Sequence, residues 1–212
     1  MADSDFIDRM RRGYRSFKGP EFNDVHERYA QLAQIGQSPK AVVIACSDSR
    51  VNPTLITQAE PGELFLIRNV ANIAPPYDPD GGYHGTSAAL EFAICGLGIR
   101  NVIILGHAKC GGVRALIEDQ RGATDVGEFI PQWISIARDA YQRVAGSCCS
   151  AEEVAPEVER EVVRLSLANL RTFPWIADRE AAGEVALHGW YFDIGPSQLL
   201  ALDEKTNEFS EI

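Results

Sequence analysis

The sequence predicts an α/β fold with a mostly parallel central β-sheet flanked by helices and an N-terminal helical arm. Short, apolar, β-branched runs alternate with segments of helical periodicity, the pattern of parallel strands joined by crossover helices. The 212 residues are 45% hydrophobic and 24% charged, an ordinary globular mixture. This length suits one core domain with an added segment better than two equal domains.

Residues 1–37 are predicted to form the helical arm, and residues 38–212 a single α/β domain. Apolar residues at helical spacing form two stripes in the arm, and no strand pattern separates them. The arm is amphipathic, so it is the expected element for wrapping a partner. Its two stripes consist of Phe6, Ile7, Met10, Tyr14 and Phe17, and of Val25, Tyr29, Leu32 and Ile35.

The first half of the core domain contains three predicted strands. Each is a short apolar run that suits a strand buried on both faces. The proline- and glycine-rich residues 75–82 predict a loop, and a helix follows from Thr86 or Ser87 until glycines close it near residue 98. The predicted strands cover residues 41–45, 64–67 and 102–105.

The second half of the core domain is predicted to cover the sheet and extend it. A helix over residues 113–120 follows the glycine pair Gly111 and Gly112, and two longer helices follow it, with a proline near the start of each. An aromatic and apolar segment then predicts a late strand. These later elements cover residues 128–145 and 152–172 as helices, 185–194 as a strand and 199–202 as a possible last strand.

Charge and hydropathy exclude several function classes. The formal net charge of −10 opposes binding to nucleic acid, and no apolar run approaches the ~18 residues that span a membrane. The polar start lacks the basic and apolar regions of a signal peptide, so we expect a cytoplasmic protein. Five cysteines without paired spacing predict reduced thiols rather than a disulfide framework.

Three ligand-type residues follow two predicted strands. Cys46 follows the first, and His107 and Cys110 follow the third, at the carboxyl ends where α/β folds place their sites. If the third strand lies on the opposite side of the first from the second, these residues line a topological switch point. Two cysteines and one histidine match catalytic zinc sites, which leave a fourth position for water.

Two other interpretations of these residues stay open on spacing alone. A structural zinc site takes four protein ligands and usually shows close cysteine pairs, whereas Cys46 is distant from His107 and Cys110. The cysteines also suit ordinary buried thiols. The neighbouring residues favour a site: Asp48 and Arg50 place a carboxylate and a guanidinium beside the first ligand.

This combination resembles the β-class carbonic anhydrases, and the Gln37 and proline-rich segments resemble the plant-like members with an open site. Phe92 and Gly96 depart from that subgroup, which often has tyrosine and histidine there. The resemblance covers nearly the whole chain beyond the arm, and its motifs are specific in combination. It is carried by residues 37–40, 46–51, 61–63, 68–72, 106–112 and 188–190.

The resemblance implies that Cys46, His107 and Cys110 bind Zn²⁺ and that Asp48 and Arg50 form the catalytic dyad. Zinc acidifies its bound water, so zinc-bound hydroxide oriented by the dyad would attack CO₂ and give bicarbonate and a proton. Two thiolates cancel the metal charge, which favours activity at basic pH. The alternative is that Asp48 and Arg50 form an ordinary surface salt bridge with no catalytic role.

The resemblance also implies the residues that meet the substrate. Gln37 would offer its amide to a substrate oxygen, and the backbone N–H of Gly111 would approach the reacting group. Phe65, Val70 and Phe92 would line an apolar pocket for CO₂. Without the family, Phe65 and Val70 suit an ordinary core, and Gln37 suits a loop cap.

The partners implied are a small-molecule substrate, CO₂ or bicarbonate, and further copies of the chain in a homodimer or larger homo-oligomer. We expect neither nucleic acid nor a membrane as a partner. Three rival functions remain: hydrolysis of carbon disulfide or carbonyl sulfide at the same zinc site, a catalytically silent zinc-stabilised interaction protein, and a cysteine redox enzyme. The sequence lacks the Cys-x-x-Cys pair that a cysteine redox enzyme would need, and a catalytically silent protein would not need the Asp48–Arg50 dyad.

Overall fold

The computed structural model describes residues 4–80, 84–122, 127–146 and 154–212. Its chain divides into two compact units, Met1–Ser38 and Pro39–Ile212. The end of the predicted loop at Gly81 and Gly82 lies outside the described residues, as do Cys148 and Cys149. Within the described residues, no helix combines the length and the apolar character needed to cross a membrane.

The first unit is a pair of helices, α1 (Ser4–Phe17) and α2 (Asn23–Ile35), with a 3₁₀ turn between them at Pro20–Phe22. Phe17 organises their junction. Its ring packs edge-on against His26 at 5.0 Å, and the His26 ring nitrogen hydrogen-bonds to the Phe17 carbonyl at 2.6 Å. The α1 side chains Phe6, Ile7, Met10 and Tyr14 are exposed within this chain.

The second unit is built on one sheet, which confirms the predicted mostly parallel α/β class. The strands are β1 (Ala41–Cys46), β2 (Leu64–Asn69), β3 (Asn101–His107), β4 (Ala186–Asp193), β5 (Gln198–Asp203) and β6 (Glu208–Glu211). Their order is β2-β1-β3-β4-β5-β6; β1 to β4 run parallel, and β5 and β6 are antiparallel additions at one edge. β3 therefore lies on the other side of β1 from β2, the arrangement that the hypothesis of a topological switch point required.

Most helices of the second unit lie where the sequence predicts them, but they are less regular than predicted. The helix predicted over residues 128–145 is broken by a 3₁₀ turn at Ser135–Ala137, and the helix after the loop continues as a π-helical turn, Phe92–Gly96. The helices are α3 (Pro53–Thr57), α4 (Gly85–Glu91), α5 (Gly111–Gln120), α6 (Ile130–Ile134), α7 (Arg138–Ala145), α8 (Val154–Leu170) and α9 (Pro174–Ala181). Of these, the short helices α3 and α9, which begin at prolines, were not predicted.

Strand β1 is the centre of the core, and every one of its residues is buried. Its alternate side chains enter two different clusters because neighbouring residues of a strand point to opposite faces. Val42 and Ile44 pack with residues of α4 and α8, whereas Val43 and Ala45 pack on the other face with side chains of β3. Cys46 ends the strand in a third cluster, together with Cys110 and residues of α5 to α8.

Candidate metal centre

Three ligand-type side chains meet at the carboxyl ends of β1 and β3. Cys46 is the last residue of β1, His107 the last of β3, and Cys110 precedes α5. Their ligand atoms all lie within 4.8 Å of one another, and the two Sγ atoms are 3.9 Å apart. Two sulfurs bound tetrahedrally to one zinc at ~2.3 Å would be about 3.8 Å apart, so the cluster has the dimensions of a zinc site.

The His107 ring is oriented for metal binding. Its Nδ1 lies 2.9 Å from the Ala108 carbonyl, which can only accept a hydrogen bond, so Nδ1 carries the proton. Nε2 is buried and has no hydrogen-bond partner in the described parts of the chain. A buried nitrogen lone pair without a partner is costly unless a cation meets it. The ring therefore fits a metal ligand better than a core histidine.

The two thiols titrate as a pair. The hydrogen bond with Cys110 lowers the pKa of Cys46 to about 4; burial opposes this shift, and His107 supports it. The same bond, together with burial, raises the pKa of Cys110. Burial lowers the pKa of His107, but Cys46, the Ala108 carbonyl and Asp48 together outweigh burial, and the net shift is upward. A divalent cation between the two sulfurs would replace the proton of their hydrogen bond and neutralise both as thiolates.

Backbone N–H groups also point at the sulfurs. Those of Asp48 and Ala71 donate to Cys46, and those of Gly112 and Val113, at the start of α5, donate to Cys110. Such donors stabilise thiolates over thiols. The arrangement therefore supports a charged donor set of the kind that binds Zn²⁺.

Two backbone features bring those donors into place. Ala71 adopts a left-handed conformation, with φ 64° and ψ 24°. Gly112 packs directly against it, since a Cβ at Gly112 would lie 2.6 Å from Val70 Cγ1 and 2.9 Å from Ala71 Cβ. Residue 112 must therefore be glycine for the turns after β2 and β3 to approach this closely.

Asp48 and Arg50 form a two-pronged ion pair beside the cluster. Arg50 Nε donates to Asp48 Oδ1 at 2.9 Å, its terminal nitrogen donates to Oδ2 at 2.7 Å, and its backbone N–H also donates to Oδ1 at 2.9 Å. The Arg50 hydrogen bonds are the main reason that the pKa of Asp48 lies well below its usual range. The carboxylate therefore stays ionised and fixed in orientation at neutral pH.

Arg68 supports the turn that follows Cys46. Its guanidinium donates to the carbonyls of Cys46 at 2.7 Å, Asp48 at 3.1 Å and Val51 at 2.7 Å. Asn69 continues this support, since its backbone carbonyl accepts from the Ser47 N–H at 2.8 Å. These bonds satisfy the backbone of a turn that has no helix or strand to do so.

A buried carboxylate supports the turn that contains Cys110. Glu159, on α8, accepts from the Cys110 N–H at 2.9 Å and from the Tyr191 hydroxyl at 2.7 Å. Burial raises the pKa of Glu159, and these two hydrogen bonds oppose that shift. The sequence analysis did not identify Glu159. The sequence pattern that could have identified Glu159 is a charged residue on a helical stripe otherwise occupied by Val163, Ser166 and Leu170.

A cleft of about 520 Å³ opens onto the cluster. Of the predicted site residues, it contains Asp48, Arg50, Cys110 and Gly111. The predicted CO₂-pocket residues do not line it: Phe65 and Phe92 pair with each other at 6.1 Å, and Val70 packs in the cluster of Cys46. Gln37 belongs to the first unit. The lining residues are Asp48, Arg50, Lys109, Cys110, Gly111, Arg114, Ala155 and Glu159.

A larger cleft, of about 670 Å³, lies elsewhere in the second unit and is bordered by Pro75, His84 and Trp133. We assign the chemistry to the smaller cleft because it adjoins the metal-type cluster. Within the described residues, Cys46, His107 and Cys110 are the one group of three such side chains whose ligand atoms converge.

Comparison with known proteins gives a consistent result. Residues 41–199 match the family model described as carbonic anhydrase. The curated Beta carbonic anhydrase 6, mitochondrial, of Arabidopsis thaliana is 39% identical over 197 residues, covering 92% of this chain and 67% of the relative. Beta carbonic anhydrase 3 of the same plant is 37% identical over 208 residues, covering 95% and 80%.

Solved structures agree with the sequence relatives. The β-carbonic anhydrase CcaA superposes with a TM-score of 0.91 at 32% identity, covering 99% of this chain and 93% of that one. One of two tetrameric β-carbonic anhydrases from Sordaria macrospora gives a TM-score of 0.72 at 26% identity, covering 92% and 93%.

Proposed function

The chain belongs to the β-class carbonic anhydrases, and from this premise we propose that it hydrates CO₂ reversibly, with Zn²⁺ held by Cys46, His107 and Cys110 and with Asp48 and Arg50 as its catalytic groups. The observation that carries the proposal is the Cys₂His cluster itself, in which the buried His107 Nε2 has no hydrogen-bond partner among the described residues. Three protein ligands are the composition of a catalytic rather than a structural zinc site.

A bound zinc ion would acidify a coordinated water and so supply the nucleophile. The reaction joins the water oxygen to the carbon of CO₂ and releases one proton. Asp48 is the group that orients the nucleophile, because its ionised carboxylate can accept the remaining water hydrogen and direct a lone pair toward the carbon. Arg50 fixes that carboxylate through its three hydrogen bonds.

We further propose that the fourth metal position is open to water. Arg50 engages both oxygens of Asp48, and the carboxylate would have to break charge-assisted hydrogen bonds to become a ligand itself. A crystal structure at near-neutral pH that placed an Asp48 oxygen at the ~2.0–2.2 Å zinc–carboxylate distance would contradict this.

The substrate contacts are proposals from family resemblance. Gly111 lines the cleft beside Cys110, which supports a role for its N–H at the reacting group. Phe65, Val70 and Phe92 are proposed to provide an apolar surface for CO₂, and Gln37 an amide donor.

We also propose assembly into a homodimer or larger homo-oligomer. The exposed apolar residues of α1 support it, and the Sordaria macrospora proteins are tetrameric by their description. The cytoplasmic location stays a prediction from the sequence, and one relative is described as mitochondrial.

Stopped-flow CO₂ hydration together with elemental zinc analysis tests the proposed function. The purified protein is expected to contain about one zinc per chain and to hydrate CO₂ faster than it hydrolyses carbonyl sulfide or carbon disulfide. Asp48→Asn is expected to keep its zinc and to lose at least ~10²-fold in kcat/KM, because asparagine keeps the shape but not the charge. An active Asp48→Asn enzyme would remove Asp48 from the mechanism.

Asp203→Asn is the matched control. Asp203 accepts the backbone N–H two residues later, at 2.8 Å, as Asp48 does, but it lies at the end of β5 and outside the lining of the cleft. Its activity should equal that of the wild type. A similar loss in both variants would show that the turn geometry, not the carboxylate beside the metal, matters.

A further inference from the structure

One peptide group beside the metal cluster is held at both ends. The N–H of Cys110 donates to Glu159 Oε1 at 2.9 Å, and the carbonyl of Lys109, on the same peptide plane, accepts from Arg50 at 3.0 Å. Glu159 is bonded at the N–H end of the plane, and Arg50 at its carbonyl end. Any rotation of this plane would break both bonds together.

The conformation of this turn needs such support. Lys109 has a φ of 56°, in the left-handed region that a residue with a Cβ adopts at a cost. That backbone conformation turns the chain so that Cys110 faces His107 and α5 begins at the next residue. Without a hydrogen bond on each side of the plane, the turn has less to hold it in the strained state.

Glu159 is itself fixed in place. It is only 4% exposed, and its second oxygen accepts the hydroxyl of Tyr191, which is 2% exposed. A hydrogen-bonded chain therefore runs from Tyr191 through Glu159 and the 109–110 peptide to Arg50 and Asp48. It joins the interior of the protein to the groups placed in the reaction.

We propose that Glu159 is a positioning residue, which fixes the 109–110 peptide plane and through it both the Cys110 ligand and the Arg50 guanidinium. This inference rests on the proposed function for the meaning of Arg50. The proposed role depends on the length of the Glu159 side chain and not on its charge, because the backbone N–H needs an acceptor oxygen at the right place. Filling the interior alone would not require a carboxylate, since an apolar side chain of similar volume avoids the cost of burying it.

Two variants separate the effect of side-chain length from the effect of charge. Glu159→Gln keeps the length and the acceptor oxygen but removes the charge, whereas Glu159→Asp keeps the charge but is one methylene shorter. Leu170→Ala, on the same helix but in the cluster of Val42 and Ile44 instead of that of Cys46 and Cys110, is the control for lost stability. All three are purified as full-length holoproteins, and their thermal unfolding is measured.

Metal affinity is the first measurement, made by competition for Zn²⁺ with a chromophoric chelator. Glu159→Asp is expected to bind zinc ~10–100-fold more weakly than the wild type, the usual loss for a group that orients a ligand, and Glu159→Gln less than ~10-fold more weakly. Leu170→Ala should bind zinc as the wild type does despite its lower unfolding temperature. The absorption spectrum of the Co²⁺-substituted proteins should change in Glu159→Asp alone, because it reports the ligand geometry.

Coupling to Arg50 is the second measurement, made as a double-mutant cycle on kcat/KM at saturating zinc. Glu159→Asp should reduce kcat/KM more in the wild-type background than in an Arg50→Ala background, because the part of its effect that passes through Arg50 is already lost in the second. Equal losses in the two backgrounds would overturn that part of the proposal.

The other outcomes are also decisive. Wild-type zinc affinity and an unchanged Co²⁺ spectrum in Glu159→Asp would overturn the proposal, and so would a Gln variant as impaired as the Asp variant. If Glu159→Asp does not fold, Tyr191→Phe replaces it, because it frees the second carboxylate oxygen and should change the same spectrum; no change would count against the proposal. If the wild-type protein does not hydrate CO₂, the proposed function is contradicted. If Glu159→Asp nevertheless binds zinc more weakly than that wild type, the positioning role stands.

Discussion

The turns after β1 and β3 each carry a metal-type ligand, yet they are held in opposite ways. The turn after Cys46 is fixed from the solvent side by two exposed arginines, Arg50 and Arg68. The turn that contains Cys110 is fixed chiefly by the buried Glu159, with Arg50 on the Lys109 carbonyl. Arg50 and Glu159 both border the cleft, but Arg50 is exposed, whereas Glu159 is 4% exposed and its oxygens are bonded to the Cys110 N–H and the Tyr191 hydroxyl.

This difference indicates a division of work. An exposed ion pair contributes little to stability, typically up to ~1 kcal/mol, so the Asp48–Arg50 pair has its main value in orienting a carboxylate. A buried, hydrogen-bonded carboxylate cannot leave without stranding its partners. We therefore expect changes to the Asp48–Arg50 pair to affect turnover more than metal binding, and changes to Glu159 to affect both.

The largest expected effect comes from the ligands, which belong to both turns. Cys46→Ser, His107→Ala and Cys110→Ser should each lose most of the bound zinc, because two remaining protein ligands hold the ion poorly. Activity should disappear with the metal. Full zinc occupancy in all three variants, by elemental analysis, would show that the ligands are other residues.

Arg50→Ala addresses chiefly the turn after β1, although it also removes the hydrogen bond to the Lys109 carbonyl. Without the guanidinium, Asp48 keeps only the bond from the backbone N–H of residue 50 and is freer to move toward the metal as a fourth ligand. We expect zinc content close to that of the wild type and a loss of at least ~10²-fold in kcat/KM. Loss of zinc in parallel with activity would show that the two turns do not divide the work as described.

The two turns also differ in how far the sequence predicts them. Cys46, His107 and Cys110 could be placed together because each follows an apolar run that must be a buried strand, and parallel strands end at one edge. Glu159 could not be placed there, since no local pattern states which turn a buried carboxylate on α8 will meet. That contact depends on how α8 packs over the sheet.

The elements that the sequence did not predict are short or polar. Helix α3 spans only Pro53–Thr57 and α9 Pro174–Ala181, too few residues for a periodic pattern to emerge. Strand β6, Glu208–Glu211, has charged or polar residues at three of four positions and is held by pairing with β5. In each case the tertiary context decides the structure.

Arg68→Met tests how the turn after β1 is supported, and its expected effect is smaller. It removes three hydrogen bonds to backbone carbonyls around Cys46 while keeping a long side chain. We expect a loss of ~10-fold in zinc affinity, the lower end for groups that support a ligand. Arg179→Met is the control, because Arg179 also donates to a backbone carbonyl, at 2.9 Å, but on α9. Equal zinc affinity in the wild type and both variants would count against a supporting role for Arg68.

The smallest effect is expected where the turns after β2 and β3 touch, at Ala71. Replacing Ala71 by glycine relieves the left-handed backbone, worth about 1–2 kcal/mol, but increases the chain entropy of the unfolded state by about 0.5–1 kcal/mol and removes a buried methyl group worth about 0.8 kcal/mol. These contributions nearly cancel, so Ala71→Gly should unfold in urea within about 0.5 kcal/mol of the wild type. Ala45→Gly, equally buried but in an ordinary strand conformation, has no strain to relieve and should lose about 1–2 kcal/mol. If both variants lose the same stability, residue 71 stores no strain, and the N–H that it directs at Cys46 is held there at no conformational cost.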